Sequence, residues 1–261
     1  MVVFFDIDGT LVDDGSQVIP ASAVEAVKQL RLNGHTPVVN TGRPYSHIDP
    51  RVRAMDFAAW VCACGMEIRL DAQWLSRSAP DESLCRYVCA QARRFHVLPL
   101  YEAGDGSIVY DPQLLGHPRQ NLEMAQMLQK GFPICSIDVH PDFLKFVTWE
   151  GAPGGTPPFH EAIAPYFEII HRGSGGFTEY VLKGHSKAKG MQALLTHLGI
   201  SREDTMAIGD STNDLPMFRL ARHTVCLGGG DPRLKAASEF VTAPVLEDGV
   251  EKALKHFGLL E

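Results

Sequence analysis

Asp6-Ile7-Asp8-Gly9-Thr10 directly follows the apolar run VVFF. On an extended strand alternate side chains share one side, which puts Asp6 and Asp8 together, and Gly9 frees the backbone to turn sharply after them. Two converging carboxylates repel unless a cation lies between them or one keeps a proton. Both solutions suit phosphoryl transfer, because hard Mg²⁺ takes carboxylate oxygens and an aspartate can be the nucleophile that accepts the phosphoryl group. The plainer alternative is that Asp6 and Asp8 only cap the following loop.

Gly209-Asp210-Ser211-Thr212-Asn213-Asp214 is a second acidic stretch behind an apolar run, MAI. Alone it reads equally well as an Asp/Asn-rich turn. Two acidic loops at parallel strand ends, however, make a cation site, and Pro216 favours a helix start just beyond. Asn40-Thr41-Gly42-Arg43 follows TPVV, so a hydroxyl and the backbone amides near Gly42, opening onto a helix, can hold phosphate oxygens. Arg43 can serve substrate or pair with a carboxylate. Lys187, in Ser186-Lys187-Ala188-Lys189-Gly190, can offset charge on a phosphoryl group, with Lys189 as its competitor and a solvated helix-start lysine as the alternative.

The elements needed to gather these groups are legible. VVFFD, TPVVN and AAWVCAC have strand character, and helical apolar spacing runs from Ala21 to Leu32 before Asn33-Gly34. KAKGMQALLTHLGI, TMAIGD, LPMFRLA, HTVCLG, RLKAAS, EFVTA and VEKALKHF resume the alternation near the end. This order predicts an α/β fold, a Rossmann-like parallel sheet of six strands with helices on both faces. Between them the rhythm changes. Helical SLCRYVCAQARRF and NLEMAQMLQK are interleaved with short strands, VLPLY, GSIVYD, PICSIDV, FLKFVTW, YFEIIH and FTEYVL. That reads as an inserted α+β domain, an antiparallel sheet with helices on one face and a Gly/Pro-rich loop from Gly151 to Pro158. The division is residues 1–80 and 183–261 for the core and 81–182 for the insert.

A net charge of −7 argues against a nucleic-acid binder, though it leaves room for local positive groups around an anionic ligand. No stretch approaches a membrane-spanning length, and no basic flank or cleavage site precedes the first strand, so a cytoplasmic protein is expected. Cys62 with Cys64, and Cys85 with Cys89, fit no standard zinc spacing and read as core thiols.

DIDGT at Asp6, NTGR at Thr41, SKAKG at Lys187 and GDSTND at Asp210, in this order, resemble the haloacid dehalogenase superfamily of phosphotransferases. A large insert between the second and third motifs resembles the Cof-type sugar-phosphatase branch, whose type IIB cap sits there. The gap between Asp8 and Thr41 is too short for a cap of the phosphomutase kind. The resemblance implies a Mg²⁺-dependent phosphatase in which Asp6 attacks phosphorus and Asp8 protonates the leaving oxygen, then helps activate water. Mg²⁺ would be held by Asp6, the backbone carbonyl of Asp8 and Asp210, with Asp214 auxiliary. Thr41, Gly42, Lys187 and Asn213 would hold phosphoryl oxygens, and the cap would read the leaving group. A small phosphorylated metabolite, foremost a sugar phosphate, is the implied partner, with no nucleic acid or membrane, and a monomer or small homo-oligomer is expected. A phosphomutase and a non-catalytic phosphate sensor are the alternatives. The chain departs from the family pattern at Cys64-Gly65-Met66, where Asn-Gly-Ala is common, and at Gly228-Gly229-Gly230-Asp231, which reads as a flexible turn.

Overall fold

β1 (Val2–Phe5) is buried along its whole length, as a strand covered on both faces must be. α1 (Ala21–Leu32) turns Ala23, Ala26, Val27 and Leu30 inward at helical spacing. β2 (Thr36–Asn40) follows, then the short α2 (Pro50–Arg53), whose first turn is closed by the Asp49 side chain accepting from the Arg51 N–H. After β3 (Ala59–Cys62) come β4 (Glu67–Leu70) and β5 (Gln73–Arg77), an antiparallel hairpin added to the sheet edge. The computed structural model describes residues 1–116, 118–149, 156–172 and 177–261. Met1–Arg43, Ile48–Arg77 and Ser186–Glu261 form one unit, and Pro44–His47 with Ser78–His185 form the other.

In the second unit α3 (Glu82–Phe95) is capped by Asp81, which accepts from the Leu84 N–H at 2.8 Å. It precedes β6 (Pro99–Glu102), β7 (Ile108–Tyr110), α4 (Pro118–Gln129), β8 (Ile134–Ser136), β9 (Lys145–Thr148), α5 (Thr156–Ile163), β10 (Phe167–Arg172) and β11 (Phe177–Leu182). The sheet order is β10-β11-β9-β6-β7-β8. Two expectations are corrected here. The sheet is not wholly antiparallel; β8 pairs parallel to β7, while β9 runs between β6 and β11. Helices also cover both faces. Tyr101 and Phe146 pack with Cys85, Val88, Phe159 and Ile163 of α3 and α5. Their strand neighbours Leu100 and Val147 pack with Met124 and Met127 of α4. Alternation sends adjacent strand residues to opposite faces, so α4 lies across the sheet from the other two. Of the expected Gly/Pro loop, residues 151–155 lie outside the described residues. Thr156–Pro158 open α5 instead, since a first helical turn tolerates proline's missing N–H.

The chain returns to the first unit through α6 (Lys187–Leu198), β12 (Thr205–Gly209), α7 (Leu215–Leu220), β13 (His223–Cys226), α8 (Pro232–Ala237), β14 (Phe240–Val241) and α9 (Gly249–His256). The sheet order is β14-β13-β12-β1-β2-β3-β4-β5, parallel from β14 through β3. The fold is the expected α/β one, with the β4–β5 hairpin as an antiparallel extension. Met191, Leu194 and Leu195 of α6 are buried against Phe4, Val38, Val61 and Ala207, at about 1.5–3 kcal/mol for each large apolar side chain. That contact fixes where the first turn of α6 falls. All six cysteines are free, and Cys62, Cys64, Cys85 and Cys89 are core residues. No helix among the described residues is long and apolar enough to cross a membrane.

Candidate active site

β1 and β12 are adjacent and parallel, with Phe5 opposite Ile208, so the residues after them leave the sheet at one edge. The Asp6 N–H still donates to the Ile208 carbonyl at 3.0 Å. Asp6 and Asp210 therefore emerge side by side at the carboxyl ends of two strands, where ligand sites form in such sheets. Gly9 (φ +72°) bends the chain back, and the Leu11 and Val12 N–H groups donate to the Ile7 carbonyl at 2.8 and 2.9 Å. A Cβ on Gly9 would stand 2.3 Å from Asp210 Oδ2, so a side chain there would displace the Asp210 carboxylate.

Asp6, Asp210 and Asp214 each offer a carboxylate oxygen, all within 4.8 Å of one another. Into this group Lys187, the first residue of α6, projects a fully buried ammonium, 2.7 Å from Asp6 Oδ1 and 2.6 Å from Asp214 Oδ1. Ser186 caps that helix by accepting from the Lys189 N–H at 3.2 Å, and Lys189 is exposed. The lysine at issue is Lys187. Asn40, not singled out from sequence, donates from Nδ2 to the Lys187 carbonyl at 3.1 Å and ties the helix start to β2. A polar residue closing an otherwise apolar strand was the available signal.

Asp214 spends both oxygens. Oδ1 accepts from Lys187, and Oδ2 accepts from the Asp210 and Ser211 N–H groups at 3.1 Å each. Burial raises the Asp6 carboxyl to about 7; Lys187 pulls it down, and Asp214 and Asp8 add to the rise. Burial, then Asp6 and Asp214, raise Asp210 to about 8. Burial alone would lower the Lys187 ammonium, but Asp214 and Asp6 outweigh it and hold it above its ordinary value. Three carboxylates sharing one ammonium leave excess negative charge in a dry place. Hard oxygen donors at that spacing fit Mg²⁺.

The Asp8 side chain stands apart from this group. Arg43 grips it with both arms of the guanidinium, Nε to Oδ2 and Nη2 to Oδ1, each at 2.7 Å. The loop from Thr41 to Arg43 is held in turn. The Arg43 N–H donates to Thr41 Oγ1 at 3.2 Å, the Ala63 N–H to the Arg43 carbonyl at 2.7 Å, and the Cys64 N–H to the Thr41 carbonyl at 3.1 Å. Ala63 and Cys64 both sit in the left-handed region (φ 48° and 55°), a strain of order 1 kcal/mol or more per residue. The unusual Cys64-Gly65-Met66 segment thus grips the Thr41 loop. No α-helix opens directly after Gly42, contrary to expectation: a short 3-10 turn, Tyr45–His47, follows Pro44. Asn213 lies half-buried in the turn after Asp210, accepting from Ser211 Oγ at 2.5 Å, and Pro216 falls in the first turn of α7 as expected. The triple glycine is not slack. A Cβ on Gly230 would meet the Asp210 carbonyl and Cys226 Sγ, each at 2.6 Å, and the Asp231 N–H donates to that same carbonyl at 2.7 Å.

Carboxylates gathered around a buried ammonium at one sheet edge suit phosphoryl chemistry, and the class, a hydrolase, is given by the family match. Residues 3–254 match the model of the haloacid dehalogenase-like hydrolases, and the chain belongs to that family, in its Cof-type branch, as a phosphatase. It is similar to YkrA of Bacillus subtilis (strain 168), 27% identical over 260 residues that take in 100% of this chain and 98% of YkrA. It is also similar to 5-amino-6-(5-phospho-D-ribitylamino)uracil phosphatase YcsE of the same bacterium, 24% identical over 260 residues, 99% of this chain and 96% of YcsE. Among solved structures it is similar to the subclass IIB sugar phosphatase BT4131, at 27% identity and a TM-score of 0.80 over 99% of each chain. Two longer relatives are matched over only 46% and 54% of their length.

Proposed function

We propose that the protein is a Mg²⁺-dependent phosphomonoesterase for a small phosphorylated metabolite, and that it works through an aspartyl-phosphate on Asp6. The observation that carries this is the buried Asp6 carboxylate, 2.7 Å from Lys187 and grouped with Asp210. Lys187 orients Asp6 so that its other oxygen faces the incoming phosphorus. As the Asp6 O–P bond forms, the ester P–O bond breaks, and the leaving oxygen takes its proton from Asp8. In the second half a water oxygen bonds to phosphorus while the Asp6 O–P bond breaks, and the water's proton passes to Asp8. Thr41, the amides at Gly42, Lys187 and Asn213 hold the phosphoryl oxygens through both halves. Asp6, the Asp8 carbonyl and Asp210 would hold Mg²⁺, which would supply neutralisation of the phosphoryl charge. Asp214 acts by fixing Lys187 and the Asp210 backbone.

The leaving group is proposed to be a sugar or a sugar-like polyol, chosen by the inserted unit. The support is likeness to a sugar phosphatase and to a phosphatase named for a phosphoribityl compound. Purified protein is expected to release phosphate from p-nitrophenyl phosphate with Mg²⁺ and to stop with chelator, and a panel of phosphate esters to rank sugar phosphates first. Asp6→Asn is expected to abolish turnover with the fold intact. Unchanged turnover in that variant removes Asp6 as nucleophile, and activity confined to nucleotides or phosphorylated cofactors removes the sugar assignment.

A further inference from the structure

Asp8 lies two residues from Asp6, on a loop whose other carboxylate is already committed to the acidic group, yet its own carboxylate is not among the three that share that group. Arg43 holds it instead. A planar guanidinium that meets both carboxylate oxygens at 2.7 Å fixes direction as well as distance, which a lysine at the same point would not. The pair is not there for stability. Its side chains are 32% and 36% exposed, and ion pairs so exposed contribute little to folding. Its anchor, by contrast, is rigid. Arg43 accepts from Ala63 through its own carbonyl and donates to Thr41 through its own N–H, and two left-handed residues are maintained to make that anchorage.

We propose that Arg43 is a positioning residue for Asp8. It fixes the carboxyl outside the Asp6–Asp210–Asp214 group and aims it for proton transfer to the leaving oxygen. One arm of the fork suffices to hold the group while its other oxygen faces the ester. This rests on the assignment of Asp8 as the proton donor, and the experiment separates the two. Specificity constants are measured with Mg²⁺ for a series of esters from p-nitrophenyl phosphate, whose leaving group needs little protonation, to an alkyl phosphate, whose leaving group needs it most. Arg43→Ala and Arg43→Lys are each compared with Asp8→Asn and with the Arg43→Ala/Asp8→Asn double variant, all checked for unchanged circular dichroism.

Both Arg43 variants are expected to lose about 10- to 100-fold on the alkyl ester and less than about threefold on p-nitrophenyl phosphate, general-acid assistance being the term removed. Asp8→Asn is expected to show the same asymmetry, and the double variant to fall no further than Asp8→Asn alone. An equal fall across the series makes Arg43 a phosphate-binding group and overturns the proposal. So does an additive loss in the double variant, or full recovery in Arg43→Lys. A flat series for Asp8→Asn overturns the donor assignment beneath it.

Discussion

Nζ of Lys187 stands 2.7 Å from Oδ1 of Asp6, with both side chains almost sealed from solvent. The ammonium is the countercharge that lets a carboxylate stay ionised there, and Asp214 leans on it equally. Lys187→Met keeps the bulk and removes the charge. Breaking a buried ion pair from one side costs about 3–5 kcal/mol, so the urea midpoint is expected to drop accordingly and phosphatase turnover to vanish. The loss is expected to be larger at pH 8 than at pH 5, because at pH 5 Asp6 already keeps its proton in the fold and leaves the lysine less charge to balance. A destabilisation under about 1 kcal/mol at pH 8 would assign the lysine no such role.

Metal-free protein is expected to weaken as pH rises. Asp6 and Asp210 ionise near about 7 and about 8 in the fold, against an ordinary 3.8. Between those values the folded chain keeps protons that the unfolded chain has lost, so unfolding releases protons and stability falls with pH. The contribution is whole below the ordinary value and gone once pH has risen through the folded values. Melting curves in chelator should therefore fall between pH 5 and 8.5. Mg²⁺ should restore little at pH 5 and much at pH 8.5, where it no longer competes with protons. A melting temperature in chelator that does not change with pH would contradict the charge crowding described above.

Asp210 and Asp214 should separate by experiment. Asp214 has both oxygens occupied by Lys187 and two backbone N–H groups, while the Asp210 carboxylate accepts from Thr10 Oγ1 only at a long 3.5 Å. Asp210→Asn is expected to raise the Mg²⁺ concentration for half activity by about 10- to 100-fold or more, a range in which even outer-shell changes fall, with a small change in stability. Asp214→Asn is expected to cost about 1.5–3 kcal/mol of stability, the worth of hydrogen bonds to a charged group, with a smaller effect on metal. Titration of activity with Mg²⁺ and urea melts of both variants decide it, and the reverse ranking would exchange their roles.

The acidic groups were legible because local pattern fixed them. An apolar run ending in Asp6, another ending at Gly209, and parallel order together force both loops to one sheet edge. Lys187 was legible as a helix-start cation, but its burial depends on Met191, Leu194 and Leu195 docking on the sheet, a tertiary fact. The Arg43 side chain had two partners open to it, and only the fold brought Asp8 within its reach. The hairpin of β4 and β5 carries little alternation, its exposed face interrupted by Trp74, and was not read. In the insert, single strands were recognisable, but pairing was not. β8 and β9 are neighbours in sequence with a turn between them, yet long-range packing gives β9 to β6 and β11. Cys64 gave no hint of left-handed backbone, since that conformation goes with a tertiary bond from its N–H to the Thr41 carbonyl.

β1 lies mid-sheet, with β2 on one side and β12 on the other. The first neighbour leaves the ribosome soon after β1, but the second is made only once the whole insert has been synthesised. At about 5–20 residues per second that interval is on the order of ten seconds. Throughout it a fully apolar strand keeps one unpaired edge, an invitation to chaperones and to aggregation alike. The core sheet of the nascent protein is therefore incomplete until its last third emerges, and slow translation through the insert lengthens its period of greatest vulnerability.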